Sequence, residues 1–319
     1  MASHSERWPE LPYAAWKDTR DTLHLWTQVV GKIRLALTPW QNHSWHVALY
    51  VTVRGLTTSP IPWRSSSFQI DFDFLDHVVW VRTAEGHFRQ VMLKPNPRPM
   101  SVAEFYAALM IALRDLGIDV RIKTMPCEIA DCIPFEQDTR HAAYDAEYAN
   151  RFWRVLLAAQ DVFARFRTGF LGKTSPVHFF WGSFDLAVTR FSGRAAPRHP
   201  GGVPHLPNSV AQEAYSHEVS SAGFWPGGGG PIDYAAFYSY AYPAPGGFAA
   251  ARVKPVQAFF SKELGEFLLP YDAVRSARDS DAVLMEFLQS TYDVAADLAK
   301  WDRKALECTP GAPGRVRPV

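Results

Sequence analysis

Residues 175–190 read Ser-Pro-Val-His-Phe-Phe-Trp-Gly-Ser-Phe-Asp-Leu-Ala-Val-Thr-Arg, a largely apolar run that is typical of a buried β-strand. Polar groups interrupt the run. A buried polar group needs a hydrogen-bond or ion-pair partner, or it has a functional role. These groups belong to His178, Trp181, Asp185 and Arg190. A strand of this length would span about 45 Å at roughly 3.3 Å per residue, so we expect Gly182 to bend it.

The chain before this stretch predicts a sheet covered by a helix. An N-terminal helix is followed by two alternating runs, at 46–54 and 68–74, whose apolar residues share one face of a strand. Two further strands with a tight turn between them are predicted at 78–82 and 88–93. Ser101 and Glu104 then form a capping box, which predicts the start of a covering helix.

The chain around and after residues 175–190 repeats the arrangement. A long helix at 143–170 precedes several predicted strands and a final helix at about 280–300. The predicted fold is therefore α+β, with two sheet-and-helix halves of mainly antiparallel strands. The first half covers residues 1–142 and the second covers 143–303, including the bridging helix at 143–170. Residues 304–319 are predicted to be a disordered tail. The similar endings Val-Thr-Val-Arg54 and Val-Thr-Arg190 leave a pseudo-duplicated arrangement open.

Charge and composition exclude some partners. The formal net charge is +1 and only 20% of residues are charged, so neither nucleic acid nor an anionic membrane is an expected partner. The N-terminus lacks the apolar core of a secretory signal, which predicts a cytoplasmic protein. We expect the three cysteines, Cys127, Cys132 and Cys308, to be free thiols because their spacing fits no zinc or redox motif.

Four residues are candidate catalytic groups: His178, Asp185, His217 and Glu218. The two histidines could exchange protons near neutral pH. A buried Asp185 must be paired, hydrogen-bonded or protonated, and Arg54 and Arg190 are its expected partners. Two interpretations stay open: a structural Asp–Arg pair, or a carboxylate with a shifted pKa beside a ligand.

Other chemistry has little support in the sequence. The histidines and acids lack metal-ligand spacing, so no metal site is predicted, and no serine lies in a nucleophile elbow. The glycines at 227–230 lack the lysine that a phosphate-binding loop requires. Long irregular segments at 192–211 and 225–231 flank the strand with His217, and we expect them to act as a lid.

A ligand pocket is predicted from the aromatic residues, which make up 14% of the chain. Its expected binding residues are His46, Arg54, Trp181, Arg190, Trp225 and Tyr238. Trp45 and Tyr240 are expected to complete the aromatic wall. In this interpretation an arginine would bind an anionic group of the ligand.

Several motifs together resemble a bacterial family of conserved hypothetical proteins, a domain of unknown function, from about Trp8 to Arg303. The resemblance is carried by residues 42–62, which begin Asn-His-Ser-Trp-His, and by residues 68–77, 176–194, 214–226 and 287–292. Since the family has no established activity, the resemblance implies no catalytic residues.

The sequence therefore predicts an aromatic-walled pocket for a small organic ligand, and an enzyme using histidine, aspartate and arginine groups is one interpretation. A non-catalytic module that binds a sugar or another flat ligand is the first alternative. A structural or oligomerisation protein is the second. Cofactor, reaction, ligand, oligomeric state and whether a metal is bound stay open.

Overall fold

A computed structural model describes residues 7–95, 97–228 and 232–317. Within these ranges the α+β prediction is confirmed, since seven helices accompany two antiparallel sheets. The helices are α1 (Tyr13–Leu37), α2 (Val102–Asp115), α3 (Ala146–Arg167), α4 (Asn208–Ala214), α5 (Tyr271–Arg275), α6 (Ser280–Leu298) and α7 (Arg303–Leu306). The strands are β1 (Tyr50–Val51), β2 (Gly55–Thr57), β3 (Ile61–Trp63), β4 (Ser66–Asp73), β5 (Val78–Thr83), β6 (Phe88–Met92), β7 (His178–Phe180), β8 (Asp185–Ala195), β9 (His217–Trp225), β10 (Ala236–Tyr242), β11 (Phe259–Ser261) and β12 (Glu266–Pro270).

The N-terminal sheet has the order β1-β2-β4-β5-β6, and β3 also pairs with β4. Its centre, β4, follows the predicted alternation, with Phe68, Ile70 and Phe72 buried. The capping box at the start of α2 is present, because the Ser101 side chain accepts from the backbone of Glu104 and the Glu104 carboxylate accepts in return. Local sequence patterns therefore specify β4 and the start of α2 correctly.

The predicted strand at 46–54 is wrong in its extent. Only Tyr50 and Val51 pair as β1, and the chain then turns at Thr52, whose carbonyl accepts from the Gly55 amide at 3.4 Å. Val53 at this turn is 78% exposed instead of sharing the buried face. Alternation alone does not reveal a turn inside an apolar run.

The C-terminal sheet has the order β11-β12-β10-β9-β8-β7. The stretch at 175–190 is not one bent strand: Gly182 lies in a turn between β7 and β8, which pair antiparallel. Phe184 closes the turn with a left-handed φ of 61°, and its amide donates to the Phe180 carbonyl at 2.8 Å. Gly182 and the exposed Ser183 are its turn residues, and Trp181 and Phe184 on either side are buried, so the turn signal is a short Gly-Ser pair inside an apolar run.

The two faces of the C-terminal sheet have different roles. One face packs on α3 and α6, as the contact between Phe163 and Phe237 illustrates. The other face carries alternate residues of β8, β9 and β10 and borders a cavity. Reciprocal backbone hydrogen bonds of 2.9 Å between Leu49 and Phe179 join this sheet to the N-terminal part of the chain.

The end of the chain differs from the predicted disordered tail. Residues 303–306 form α7, whose Leu306 carbonyl accepts from the Leu171 amide at 2.7 Å. Beyond α7, the Cys308 amide donates to the Gly169 carbonyl at 3.2 Å. These bonds satisfy backbone groups that follow α3. Residues 318–319, and residues 229–231 of the predicted second lid loop, lie outside the described ranges.

Candidate functional site

A cavity of about 660 Å³ lies over the free face of the C-terminal sheet. Its floor consists of alternate residues of β8 together with neighbours on β9 and β10. Residues near the end of α1, the segment at 121–128 and the loop that leads into α4 form its walls. Part of the predicted lid segment at 192–211 therefore covers the cavity, with Val203 and Leu206 among its lining residues.

Asp185 lies on the cavity floor and is 7% exposed. The Ser183 hydroxyl donates to its Oδ1 at 2.5 Å, and the Tyr238 hydroxyl donates to its Oδ2. Burial raises the pKa of Asp185, while these two hydrogen bonds oppose the rise. The expected partners Arg54 and Arg190 do not reach it. Asp185 is therefore anchored by hydroxyl groups and not by a cation.

Three tyrosines continue from this aspartate across the floor. The rings of Tyr238 and Tyr240 stack at 6.0 Å, and the hydroxyls of Tyr240 and Tyr215 lie 2.8 Å apart. Burial raises the pKa values of all three phenols, so they stay protonated near neutral pH. The cavity floor thus carries two hydrogen-bonded pairs, Tyr238 with Asp185 and Tyr240 with Tyr215.

A second carboxyl group, from Glu128, enters the cavity from an irregular segment. Its backbone has a left-handed φ of 63° and is held by a 2.8 Å hydrogen bond from its amide to the Pro204 carbonyl. The carboxylate packs directly on Gly182, where a Cβ would come within 1.9 Å of Oε1. Gly182 therefore permits a close approach, and a side chain at this position would force the Glu128 carboxylate to move.

The carboxyl group of Glu128 has no hydrogen-bond or ion-pair partner among the residues that the structure describes. Burial, and the negative charge of Asp185, raise its pKa to about 7. Backbone strain and an unpartnered carboxyl group in one residue are typical of functional sites. Nothing in the sequence around Glu128 indicates this role.

A histidine with strained backbone lines another wall. His43 has a left-handed φ of 57°, and its Nδ1 lies 3.0 Å from the Ala214 carbonyl. A carbonyl only accepts, so Nδ1 carries the proton and Nε2 accepts from the Lys173 ammonium at 2.6 Å. Burial lowers the pKa of His43. The predicted catalytic residue His217 lies beside it, with ring centroids 6.0 Å apart.

Two of the predicted tryptophans, Trp45 and Trp181, are among the aromatic residues of the cavity wall. The Trp181 indole donates from Nε1 to the Val47 carbonyl at 2.8 Å and lies against Gly31 of α1. A Cβ at Gly31 would come within 2.2 Å of this indole. Trp45 contacts the Lys173 ammonium, which lies 5.1 Å from the ring centroid. Both tryptophans line the cavity.

Three predicted site residues lie away from the cavity and contact other parts of the fold. Arg190 is on the opposite face of the sheet, Arg54 pairs with Asp73 on the N-terminal sheet at 2.5 Å, and Glu218 pairs with Arg194 at 2.6 Å. Side chains alternate along a strand, so Arg190 cannot share a face with Asp185 without a bulge between them. Of the ten predicted residues, Trp181, Asp185 and Tyr238 line the cavity directly.

The other four predicted residues do not line the cavity: His46 and His178 are buried, and His217 and Trp225 are half-buried. His46 accepts from the Gln41 amide through Nδ1 at 3.2 Å, and Trp225 ends β9 opposite Ala236. His178 is 0% exposed and packs edge-on against Trp45 at 5.6 Å. Neither ring nitrogen of His178 has a hydrogen-bond partner within the described ranges. Burial lowers its pKa to about 3.

Replacing His178 by phenylalanine is expected to make the protein less sensitive to acid. The pKa of His178 is lowered in the folded state, so its contribution to stability is complete above the unfolded value of about 6.5 and is lost as the pH falls toward 3. Between pH 7 and pH 4.5 the wild type should lose about 2–3 kcal/mol more free energy of unfolding than His178→Phe. Urea unfolding at both pH values measures this difference, and equal losses would contradict it.

No group of three or more histidine, cysteine, aspartate or glutamate side chains in the described ranges is placed to hold a metal ion. No helix in this part of the chain is long and apolar enough to cross a membrane. The three cysteines are free thiols, as expected.

Comparison with known proteins gives one match. Neither the curated proteins nor the solved structures contain a match to the chain. Residues 8–308 match a family of unknown function, DUF5996. This range spans both sheets, the cavity and the residues that carry the resemblance noted above. The chain therefore belongs to the DUF5996 family.

Proposed function

We propose that the cavity binds a small organic ligand and that Glu128 exchanges a proton with it as a general acid or base. The observation that carries this proposal is the carboxyl group of Glu128, which faces the cavity with no partner among the described residues. Structural carboxylates are usually paired when they are buried, as Asp185 is by Ser183 and Tyr238. A carboxyl group kept free in a cavity is available to a ligand.

The shape and chemistry of the cavity support ligand binding. Its volume of about 660 Å³ lies within the range of small-molecule sites, about 300–1,000 Å³. Aromatic walls with a few converging polar groups are typical of such sites, and Trp45 and Trp181 supply flat surfaces here. The interpretation as a purely structural protein offers no reason for such a cavity.

Proton transfer is supported by the different surroundings of the Glu128 and Asp185 carboxyl groups. Efficient general acid–base catalysis needs a pKa near the working pH, and that of Glu128 is about 7. Asp185 is held by two hydroxyl donors and acts in this proposal as a positioning residue whose charge raises the pKa of Glu128. The tyrosine hydroxyls would hydrogen-bond polar groups of the ligand.

A non-catalytic binding module remains the second candidate, and the stacked Tyr238 and Tyr240 rings favour it. A sugar or another flat ligand could lie between such rings and the tryptophans without proton transfer. In that case Glu128 would only accept or donate a hydrogen bond.

The two candidates are separated by incubating purified protein with the small-molecule fraction of a cell extract and following its composition by mass spectrometry. We expect at least one compound to be consumed by the wild type, with a rate about 100-fold lower for Glu128→Gln. Ala187→Phe, which fills the cavity floor, should lose both turnover and retention of the compound. Glu263→Gln, at an exposed glutamate, is the matched control and should behave as the wild type.

Retention of a compound without turnover would support the binding module and contradict the catalytic proposal. If Ala187→Phe stays folded and acts on or retains the same compounds as the wild type, the cavity is not the site.

A further inference from the structure

We infer that the ligand of this cavity is an organic anion whose negatively charged oxygen group is bound by Lys32, with Arg121 and Lys123 beside it. This inference rests on the proposed function and adds the chemical class of the ligand. The sequence pointed to Arg54 or Arg190 for this task. The structure places both arginines away from the cavity and brings Lys32 to it.

Lys32 is a buried cation without a counter-ion. It lies in the last two turns of α1, is 9% exposed and lines the cavity. Its ammonium has no hydrogen-bond or ion-pair partner among the described residues. Burial lowers its pKa, and the other groups that act on it are the Cys127 and Cys132 thiols and the Lys123 ammonium. Since no carboxylate of the described ranges acts on the pKa of Lys32, this cation is available to bind an anion.

Two further cations line the cavity, and one of them, Lys123, lies near enough to Lys32 to act on its pKa. Arg121 and Lys123 are exposed and, within the described ranges, form no ion pair. Many other arginines of the described chain are paired with acids, as Arg98 is with Glu104 at 2.6 Å. Lys123 also lowers the pKa of Lys32, because two like charges lie near each other. An anion here would relieve this repulsion and offset the cost of burying Lys32.

The charges of the cavity also give the ligand an orientation. The cations come from α1 and the segment at 121–123, whereas the Glu128 carboxyl group lies against Gly182, near enough to Asp185 for the two acids to interact. Among the residues that the structure describes, Asp185 is the charged group that acts on the pKa of Glu128. The anionic group would therefore lie at Lys32, and the part of the ligand that exchanges a proton would lie at Glu128.

Two fluorescent probes with the same ring system test this inference. 8-Anilinonaphthalene-1-sulfonate carries a negative charge, and N-phenyl-1-naphthylamine is its neutral counterpart. We expect Lys32→Met to raise the Kd of the sulfonate probe at least tenfold and to change that of the neutral probe less than twofold. Lys17→Met is the matched control because Lys17 lies on the same helix but is exposed, and it should leave both Kd values unchanged.

A second variant tests the inference independently, in case Lys32→Met does not fold. Arg121→Ser combined with Lys123→Ser changes only exposed side chains and should raise the Kd of the sulfonate probe roughly threefold or more, without affecting the neutral probe. If both probes bind, Ala187→Phe blocks them, and neither cation variant affects the sulfonate probe, the anion inference is overturned while the cavity site stands. If neither probe binds, or if Ala187→Phe blocks the binding of neither, the cavity is not the proposed site. The anion inference then fails as well.

Discussion

Replacing Arg190 by alanine is expected to lower the free energy of unfolding by about 3–5 kcal/mol. The guanidinium is 1% exposed and lies over the rings of Phe166 at 3.5 Å and Tyr292 at 4.3 Å. It also donates to the Phe166 carbonyl at 2.5 Å. Alanine would leave a void among the aromatic rings, remove the cation–π contacts and remove one of the donors to that carbonyl, which the Gly169 amide also reaches at 3.4 Å. Urea unfolding of the two proteins measures the loss.

Arg190→Met is the matched control, because methionine keeps much of the length and apolar contact of the side chain but removes the buried charge. Burial lowers the pKa of Arg190 to about 10, which shows that the charge itself is costly there. Arg190→Met should therefore cost much less than Arg190→Ala. Its affinity for the neutral naphthylamine probe should equal that of the wild type. A folded Arg190→Met protein that no longer binds the probe would contradict the structural role.

Replacing Glu128 by glutamine is expected to stabilise the protein at alkaline pH but not at acid pH. The pKa of Glu128 is raised to about 7 in the folded state, so the folded protein binds this proton more tightly than the unfolded chain does. Stability is therefore lost as the pH rises from about 4.5, the ordinary value, to about 7. At pH 8 the glutamine variant should be more stable by roughly 1–3 kcal/mol, and at pH 4 the two proteins should be equal.

Chemical unfolding at pH 4 and pH 8 checks this expectation. Glu263→Gln measures the effect of losing one exposed carboxylate and serves as the control for net charge. A glutamine variant that is equally stable or less stable at pH 8 would mean that the Glu128 carboxylate has a partner in the folded protein.

The fold class follows from local patterns, whereas connections in the buried sheet do not. Strict alternation in β4, the capping box of α2 and the aromatic run of β10 each specify one element through nearest neighbours in the chain. The stretch at 175–190 consists almost entirely of buried residues, so a hairpin and a single strand have similar patterns. Tertiary packing around Phe184 decides between them.

The cavity could be predicted only in part. Trp181, Asp185 and Tyr238 lie in regular strands or next to them, and burial of a polar or aromatic group there is visible in the sequence. Glu128 lies in an irregular segment, and its place in the cavity becomes visible only from its close contact with Gly182 in the folded protein. Lys32 reads as an ordinary polar residue of a helix, since its lack of a counter-ion depends on elements far away in the chain. When contacts between distant parts of the chain bring a residue into a site, the sequence around that residue does not indicate its role.

The most direct test of this account is an NMR titration of the Glu128 side-chain carboxyl carbon in ¹³C-labelled protein, assigned by comparison with Glu128→Gln. We expect a pKa of about 7 that falls when Asp185 is replaced by asparagine, because burial and the Asp185 charge together raise it. A Glu128 pKa near 4.5, unchanged in Asp185→Asn, would show that the carboxylate is well solvated or paired, and would contradict its role in proton exchange.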